Sequence, residues 1–138
     1  MNPIRLLQKS DYIDYLNLLQ GWKQTNFSKT DFEFFVSQLN KNHLIFVYIV
    51  DEKIVASVTI LFEKKLIRNC ASAAHVEDLV VKAEFQRKKI GKQLIQHAIQ
   101  IAKDNKCYKI ILNCDSDLQE FYKKYGFVSK NVEMSIYF

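Results

Sequence analysis

The stretch from His75 to Gln96, HVEDLVVKAEFQRKKIGKQLIQ, constrains the fold more than any other part of the chain. It starts as an apolar run interrupted by a Glu-Asp pair, passes through the basic sequence QRKK and one glycine, and continues with apolar residues at helical spacing. This order predicts a buried strand that enters an amphipathic helix through a basic turn. The unpaired N–H groups of a helix N-terminus, together with the lysines before it, can bind a pyrophosphate.

The basic turn lacks the glycines of the two common phosphate-binding motifs. Neither G-x-x-x-x-G-K-[ST] nor G-x-G-x-x-G fits, because Gly91 is the single glycine in the turn. A solvated basic turn in front of a helix is the simplest alternative interpretation. The turn alone therefore indicates a possible anion site without identifying the anion.

The composition is that of one soluble globular domain spanning residues 1–138. Of the 138 residues, 49% are hydrophobic and 25% are charged, which is enough apolar material for a sizeable core. Three glycines and one proline leave no linker or low-complexity segment. The net charge of +5 is compatible with a phosphorylated metabolite, a nucleotide cofactor or nucleic acid, and does not choose among them.

Several classes of protein are disfavoured by what the sequence lacks. No apolar run approaches the length of a membrane span, and MNPIRLLQKSDY has no sustained apolar core of the kind found in signal peptides. The cysteines at 70, 107 and 114 are odd in number and lack a C-x-x-C spacing. We therefore expect a cytoplasmic protein without a disulfide framework, a metal site or a membrane partner.

The periodicity of the apolar residues predicts a mixed α/β fold with the order β-α-α-β-β-β-α-β-α-β. Strands are predicted at 4–7, 44–50, 54–62 with an extension over 63–68, 76–81, 108–114, and 127–128 with 132–138; helices are predicted at 10–19, 30–39, 90–105 and 116–126. Capping boxes are predicted at Thr30 and Ser116. A hairpin followed by strand–helix units implies a sheet that is partly antiparallel and partly parallel, flanked by about four helices.

Several motifs in the second half of the chain occur together, namely HVEDLVV at 75–81, CYKI at 107–110, FYKKYGF at 121–127 and VEM at 132–134. In this order and spacing they resemble the glucosamine-6-phosphate N-acetyltransferases, a branch of the GNAT acetyltransferases. The resemblance is close across 75–138, weaker at 63–65, and limited to element order before residue 60. It implies a GNAT fold and a homodimer with a shared active site.

The same resemblance implies a reaction and a cofactor. The acetyl group of acetyl-CoA would pass directly, in a ternary complex, to the 2-amino group of glucosamine 6-phosphate, in the synthesis of UDP-N-acetylglucosamine. GNAT proteins bind acetyl-CoA through a Q/R-x-x-G-x-G/A loop, in which Gln86 and Gly91 match and Lys89 replaces the middle glycine. The implied acetyl-CoA contacts are Leu79, Val80, Val81, Gln86, Arg87, Lys88, Lys89, Ile90, Gly91, Lys92 and Tyr122. Core packing is the alternative role for the three strand residues.

Three residues are the catalytic candidates. Tyr122 matches the tyrosine that faces the thioester sulfur in the family, and a phenol with a pKa of about 10 can protonate a leaving thiolate. The simpler alternative for Tyr122 is packing on the sheet. Glu77 is the candidate base, and the simpler alternative for it is a surface position. Asn113 stands where relatives commonly have a carboxylate, and its amide can accept a hydrogen bond but carries no charge.

The acceptor would be held by residues on both sides of these candidates. Glu77 and Asp78, as neighbours on a strand, are expected to point to opposite faces. For the sugar phosphate, Lys109 matches the family's C-Y-K lysine. Lys64, Lys65 and Arg68 are further candidates, with a solvated edge as the alternative. The basic residue that the family often has near the C-terminus is missing, since the chain ends in Ile-Tyr-Phe.

Other functions stay open at this stage. A GNAT enzyme acting on another small amine or on a protein amine would keep the fold and change the acceptor. The replacements at Lys89 and Asn113 also allow a CoA-binding protein without catalysis. A basic nucleic-acid-binding module is the alternative from a different class, although no RNA-recognition or helix-turn-helix signature is present, so we expect no nucleic-acid partner.

Overall fold

In the computed structural model, which describes residues 2–138, five strands form one sheet in the order β1-β2-β3-β4-β5. The strands are β1 Ile4–Leu6, β2 His43–Val50, β3 Lys53–Lys64, β4 Ser72–Val81 and β5 Lys109–Leu112. Neighbours from β1 to β4 are antiparallel, and β4 and β5 are parallel. The predicted mixed sheet is therefore confirmed.

Helices cover both faces of the sheet. They are α1 Tyr12–Gln20, α2 Lys29–Gln38, α4 Ile90–Asp104 and α5 Gln119–Lys123, whereas the short α3, Ile67–Cys70, buries no residue and belongs to the turn between β3 and β4. Helix α4 and α5 close one apolar core, around Val58, Ile60, Val76 and Leu94, and α1 and α2 close the other, around Leu18, Phe32, Val47 and Ile54. The amphipathic period that predicted α4 therefore corresponds to a buried stripe.

The turn between β3 and β4 departs from the prediction that the strand continues over 63–68. The chain leaves β3 at Lys64, and Arg68, Asn69 and Cys70 adopt left-handed φ angles of 57°, 58° and 63°. Such angles cost a residue other than glycine about 1–2 kcal/mol each. Side-chain periodicity did not indicate this turn, because left-handed backbone is set by how the two strands are joined.

Both predicted capping boxes are wrong. Helix α2 begins before Thr30 because the Ser28 hydroxyl accepts a hydrogen bond from the Asp31 N–H at 3.0 Å, which makes Ser28 the N-cap. At the predicted box of Ser116, the N-cap is Asp115, one residue earlier, and it makes no side-chain capping bond. Several adjacent side chains could cap each start, and the sequence did not decide among them.

The start of α1 is fixed by a buried carboxylate rather than by Ser10. Asp11 receives two hydrogen bonds from the Arg5 guanidinium, at 2.8 and 2.9 Å, and a third from the Gln8 N–H at 2.8 Å. Ser10 lies inside the 3₁₀ turn Lys9–Asp11. This bidentate pair joins β1 to α1, and its formation raises the pKa of Arg5.

The predicted C-terminal strands at 127–128 and 132–138 are wrong for the single chain, because residues 127–138 form no regular structure. A strand needs a neighbour for its N–H and C=O groups, and none within residues 2–138 pairs with this segment. Its apolar side chains are largely exposed, among them Val132, Met134, Ile136 and Phe138. The outer edge of β5 also lacks a partner strand in the described part of the chain.

His97 on α4 makes the stability of the fold sensitive to acid. Its ring packs edge-on against Phe46, with centroids 4.4 Å apart, and its buried Nε2 has no hydrogen-bond partner within residues 2–138. Burial lowers the pKa of His97, so the unfolded chain takes up a proton first as the pH falls. We expect the free energy of unfolding to fall below a pH of about 6.5, and to fall less in His97→Phe. Urea unfolding at pH 7.5 and pH 5.5 measures this, and equal losses in both proteins would contradict it.

Candidate active site

A gap opens in the sheet where β4 and β5 part. The two strands pair from Ala73 opposite Lys109 to Val76 opposite Leu112, after which β4 continues to Val81 and the chain leaves β5. Among residues 2–138, the β4 edge beyond Val76 therefore has no neighbour on this side. Its free backbone groups can pair with an extended ligand that carries amides.

A bulge in β4 lies at the start of this gap. Thr59 pairs with Glu77 and Ser57 pairs with Val80, so Asp78 and Leu79 together face the single residue between them on β3. Asp78 has a left-handed φ of 51°. The simple alternation expected for Glu77 and Asp78 therefore ends at this point, because a bulge redirects the side chains that it carries.

The basic loop joins the end of β4 to the N-terminus of α4. The Gln86 side-chain amide donates a hydrogen bond to the Val81 carbonyl at 3.2 Å, which ties the loop to the strand. Arg87 and Lys89 have left-handed φ angles of 64° and 65°. Lys89 thus adopts the conformation that a glycine would adopt without strain, at a cost of about 1–2 kcal/mol.

The first N–H groups of α4 are available to an anion. Lys89 is the N-cap and makes no side-chain capping bond, and its carbonyl accepts the helical hydrogen bond from the Gln93 N–H at 3.1 Å. The N–H groups of Ile90, Gly91 and Lys92 precede that bond and have no acceptor within the helix. Together with three exposed basic side chains in the loop, they form a site suited to a phosphate or pyrophosphate.

Gly91 marks the place where β4, α4 and α5 meet. A Cβ atom at Gly91 would lie 3.5 Å from Cζ of Phe121 and 3.9 Å from Cγ2 of Val81. The short helix that carries Tyr122 is therefore in contact with the start of α4. The anion site and the candidate acid lie on adjoining elements as a result.

Tyr122 is 9% exposed and lies among aromatic rings. The ring centroids of Phe121 and Phe127 are 4.9 and 5.8 Å from its own. Burial raises the pKa of Tyr122, and the nearby Cys114 thiol acts in the same direction. The phenol thus stays protonated at neutral pH, and no side chain among residues 2–138 hydrogen bonds to it. It is in a state to donate a proton.

Glu77 and Asn113 follow the last paired residues of the two strands. Val76 and Leu112 are the final pair, so the next residue on each strand stands at the mouth of the gap. Glu77 is half-buried and Asn113 is exposed. The structure therefore brings together two of the three candidate catalytic residues at the place where the strands part.

The basic residues assigned to the acceptor lie at the other end of the sheet. Arg68 and Lys109 both lie over the ring of Tyr108, at 5.7 and 5.5 Å from its centroid. Lys109 is four residues before Asn113, which corresponds to about 13 Å of strand. The structure does not bring the lysines of 64, 65 and 109 to the mouth of the gap within one chain.

Lys65 is already paired with an acid. Its Nζ lies 3.0 Å from Oε2 of Glu63, and Nε2 of His75 lies 3.0 Å from the other carboxylate oxygen. These two contacts, that of Lys65 first, hold the pKa of Glu63 below its usual range. Lys64, Arg68 and Lys109 have no such carboxylate partner in the described part of the chain, and the last two lie together on the Tyr108 ring.

Comparison with known proteins identifies this arrangement. The sequence profile of the Acetyltransferase (GNAT) family matches residues 7–127. The chain belongs to the GNAT acetyltransferase family. The fold expected from the resemblance is thereby confirmed.

Relatives of known activity cover nearly the whole GNAT domain. The chain is 36% identical over 143 residues to a glucosamine 6-phosphate N-acetyltransferase of Arabidopsis thaliana, covering 98% of this chain and 95% of the relative. It is 36% identical to glucosamine 6-phosphate N-acetyltransferase 1 of Dictyostelium discoideum, covering 89% and 82%. The crystal structure of the Arabidopsis enzyme superimposes with a TM-score of 0.93 at 33% identity, covering 98% and 97%. The resemblance inferred from the motifs is thereby confirmed.

None of the helices described within residues 2–138 is long and apolar enough to cross a membrane. The same residues contain no group of three or more His, Cys, Asp or Glu side chains that could hold a metal ion. The site consists of backbone groups, one buried phenol and a set of charged and amide side chains.

Proposed function

We propose that this GNAT protein transfers the acetyl group of acetyl-CoA to the 2-amino group of glucosamine 6-phosphate, giving N-acetylglucosamine 6-phosphate and CoA. The observation that carries the proposal is the gap between β4 and β5, which runs from Glu77 and Asn113, where the strands part, to the free N–H groups at the start of α4. The acceptor is supported by the near full-length likeness to the Arabidopsis enzyme. The product would serve the synthesis of UDP-N-acetylglucosamine in the cytoplasm, where the three free thiols would stay reduced.

Acetyl-CoA fits the gap with its pyrophosphate at the basic loop. The N–H groups of Ile90, Gly91 and Lys92 would bind the phosphate oxygens, and the side chains of Arg87, Lys88 and Lys89 would add positive charge. The amides of the pantetheine arm would pair with the free edge of β4 over Leu79–Val81. This orientation directs the thioester towards the start of the gap, near Tyr122.

The chemistry then requires two proton transfers. The amine of the sugar loses a proton and attacks the thioester carbon, and Glu77 or a water molecule next to it takes that proton. Asn113, opposite Glu77, would accept a hydrogen bond from the amine and hold it for the attack. As the new C–N bond forms and the C–S bond breaks, Tyr122 gives its proton to the departing sulfur. No acetylated enzyme is formed.

The phosphate of the sugar would bind at the basic end of the sheet. Arg68 and Lys109, together on the Tyr108 ring, carry charge that no carboxylate of the described chain offsets. Lys64 and Lys65 lie at the adjoining end of β3, although Lys65 is paired with Glu63. Because these residues are remote from Asn113 within one chain, a second chain would complete the acceptor site.

Formation of a homodimer would also give the exposed C-terminal segment a partner strand. Val132, Met134, Ile136 and Phe138 alternate with more polar residues, as in a strand with one buried face. The outer edge of β5 has free backbone groups. Pairing of this tail with the sheet of a second copy would bury the apolar side chains, and it would supply hydrogen-bond partners for the backbone of the tail and for the outer edge of β5.

Thiol release from acetyl-CoA, measured with four acceptors, tests the proposed reaction. We expect kcat/KM for glucosamine 6-phosphate to exceed that for glucosamine by at least about 100-fold, with no turnover of spermine or a peptide amine. Lys109→Gln should lower kcat/KM for glucosamine 6-phosphate and leave that for glucosamine unchanged. Lys103→Gln, which removes a lysine from the exposed end of α4, is the matched control. Turnover of another amine would keep the family and overturn the acceptor. Acetyl-CoA binding without any turnover would indicate that catalysis has been lost.

A further inference from the structure

Two buried hydroxyl groups meet between α1 and β3, beside the bulge of β4. Oη of Tyr15 and Oγ of Ser57 are 3.1 Å apart, and the two residues are 7% and 1% exposed. Tyr15 belongs to an otherwise apolar cluster that includes Leu18, Phe32 and Val80. Each hydroxyl would lack a partner without the other, so the pair favours one relative position of helix and strand.

Ser57 lies next to the bulge in the strand register. It pairs with Val80, and the next pair along the two strands is Thr59 with Glu77, so the bulge residues Asp78 and Leu79 lie between. Burial is the main cause that raises the pKa of the Tyr15 phenol, the hydrogen bond with Ser57 lowers it, and the charge of Asp78 raises it. Helix α1 therefore reaches the bulge through Ser57.

The left-handed backbone of Asp78 must be held by its surroundings. A residue other than glycine adopts a φ of 51° only where neighbouring contacts over-determine it. We infer that Tyr15 is a positioning residue, whose hydroxyl fixes the β4 bulge through Ser57 and so places Glu77 and Asp78 for the acceptor amine. The inference rests on the proposed function, in which Glu77 takes the proton of the acceptor amine, and on the expectation that Asp78 helps to hold the acceptor.

The variant Tyr15→Phe tests this role, and Tyr12→Phe is the matched control. Tyr12 lies on the same helix and its hydroxyl donates to the Phe27 carbonyl at 2.9 Å, away from the bulge. We expect Tyr15→Phe to lower kcat/KM for the acceptor about tenfold without changing the Kd of acetyl-CoA. Tyr12→Phe should leave both values unchanged. Ser57→Ala should lower kcat/KM as much as Tyr15→Phe does, and the double variant should lose no more than either single variant. Ser57→Thr, which keeps a hydroxyl, should retain the kcat/KM of the unmodified protein.

Amide hydrogen exchange supplies a second readout that needs no turnover. In Tyr15→Phe the exchange of the Asp78 and Leu79 amides should rise about tenfold, while that of α4 stays unchanged. In Tyr12→Phe the bulge amides should exchange as in the unmodified protein. Faster exchange at the bulge would support the positioning role even if the proposed acceptor were wrong. Equal exchange and equal kinetics in the two variants would overturn it, and Ser57→Ala gives the same decision should Tyr15→Phe fail to fold.

Discussion

Tyr122→Phe is expected to lower kcat about 100-fold and to leave the Kd of acetyl-CoA unchanged. The substituted ring keeps the packing against Phe121 and Phe127 and loses only the hydroxyl. Without that proton the sulfur would leave as a thiolate, and the breaking of the C–S bond would become the difficult step. Thiol release at saturating concentrations of both substrates measures kcat, and calorimetric titration measures the Kd.

Tyr125→Phe is the matched control for this prediction. Tyr125 follows Tyr122 by three residues, and its ring centroid is 5.3 Å from that of Phe121. Loss of its hydroxyl removes a polar atom from the same aromatic group without removing the proposed acid. Similar kcat values for the two variants would show that Tyr122 does no more than pack on the sheet. Because burial raises the pKa of Tyr122, its ionisation should not limit the rate at neutral pH.

Removal of residues 131–138 is expected to convert a dimer into a monomer and to lower kcat/KM for the phosphosugar at least about 100-fold. The tail has no partner strand within the described chain, and its apolar side chains are largely exposed. A second copy would supply the partner, and the acceptor site would be incomplete without it. Light scattering after size-exclusion chromatography measures the mass, and thiol release measures the activity.

Two substitutions within the tail make this test more specific. Ile136→Asp places a charge on the apolar side of the predicted strand, whereas Ser135→Asp places the same charge on the opposite side. We expect the first to dissociate the dimer and the second to leave it intact. A monomeric unmodified protein with full activity would contradict the shared site. Equal effects of both substitutions would contradict the strand pairing.

The elements that were predicted correctly are those with long, regular patterns. The amphipathic period of α4 and the apolar runs of β2 to β4 identify their elements because a buried face requires them. The motifs at 75–81 and 121–127 identified the family. The free N–H groups at the start of α4 also followed from the sequence, since a strand that enters a helix through a basic turn must place them at that end.

The features that sequence did not predict depend on contacts between distant residues. Asp78 becomes left-handed because β3 and β4 change register there, and no residue near it signals a bulge. The pairing of Tyr15 with Ser57 joins two elements whose relative placement only the folded chain determines. The pattern of the tail predicts a strand because apolar and polar residues alternate in it, although no strand within residues 2–138 pairs with it.

The parting of β4 and β5 has a consequence for the lifetime of the protein. Only four residue pairs join β5 to the sheet, and the segment carrying Tyr122 follows directly after them. A ligand that paired with β4 in the gap and bound the folded state alone would raise the free energy of unfolding by mass action. At a ligand concentration 100 times its Kd, the gain is about 2.7 kcal/mol. A chain that fills this gap with acetyl-CoA would therefore resist proteolysis best when acetyl-CoA is abundant, and its cellular abundance would follow the supply of its own substrate.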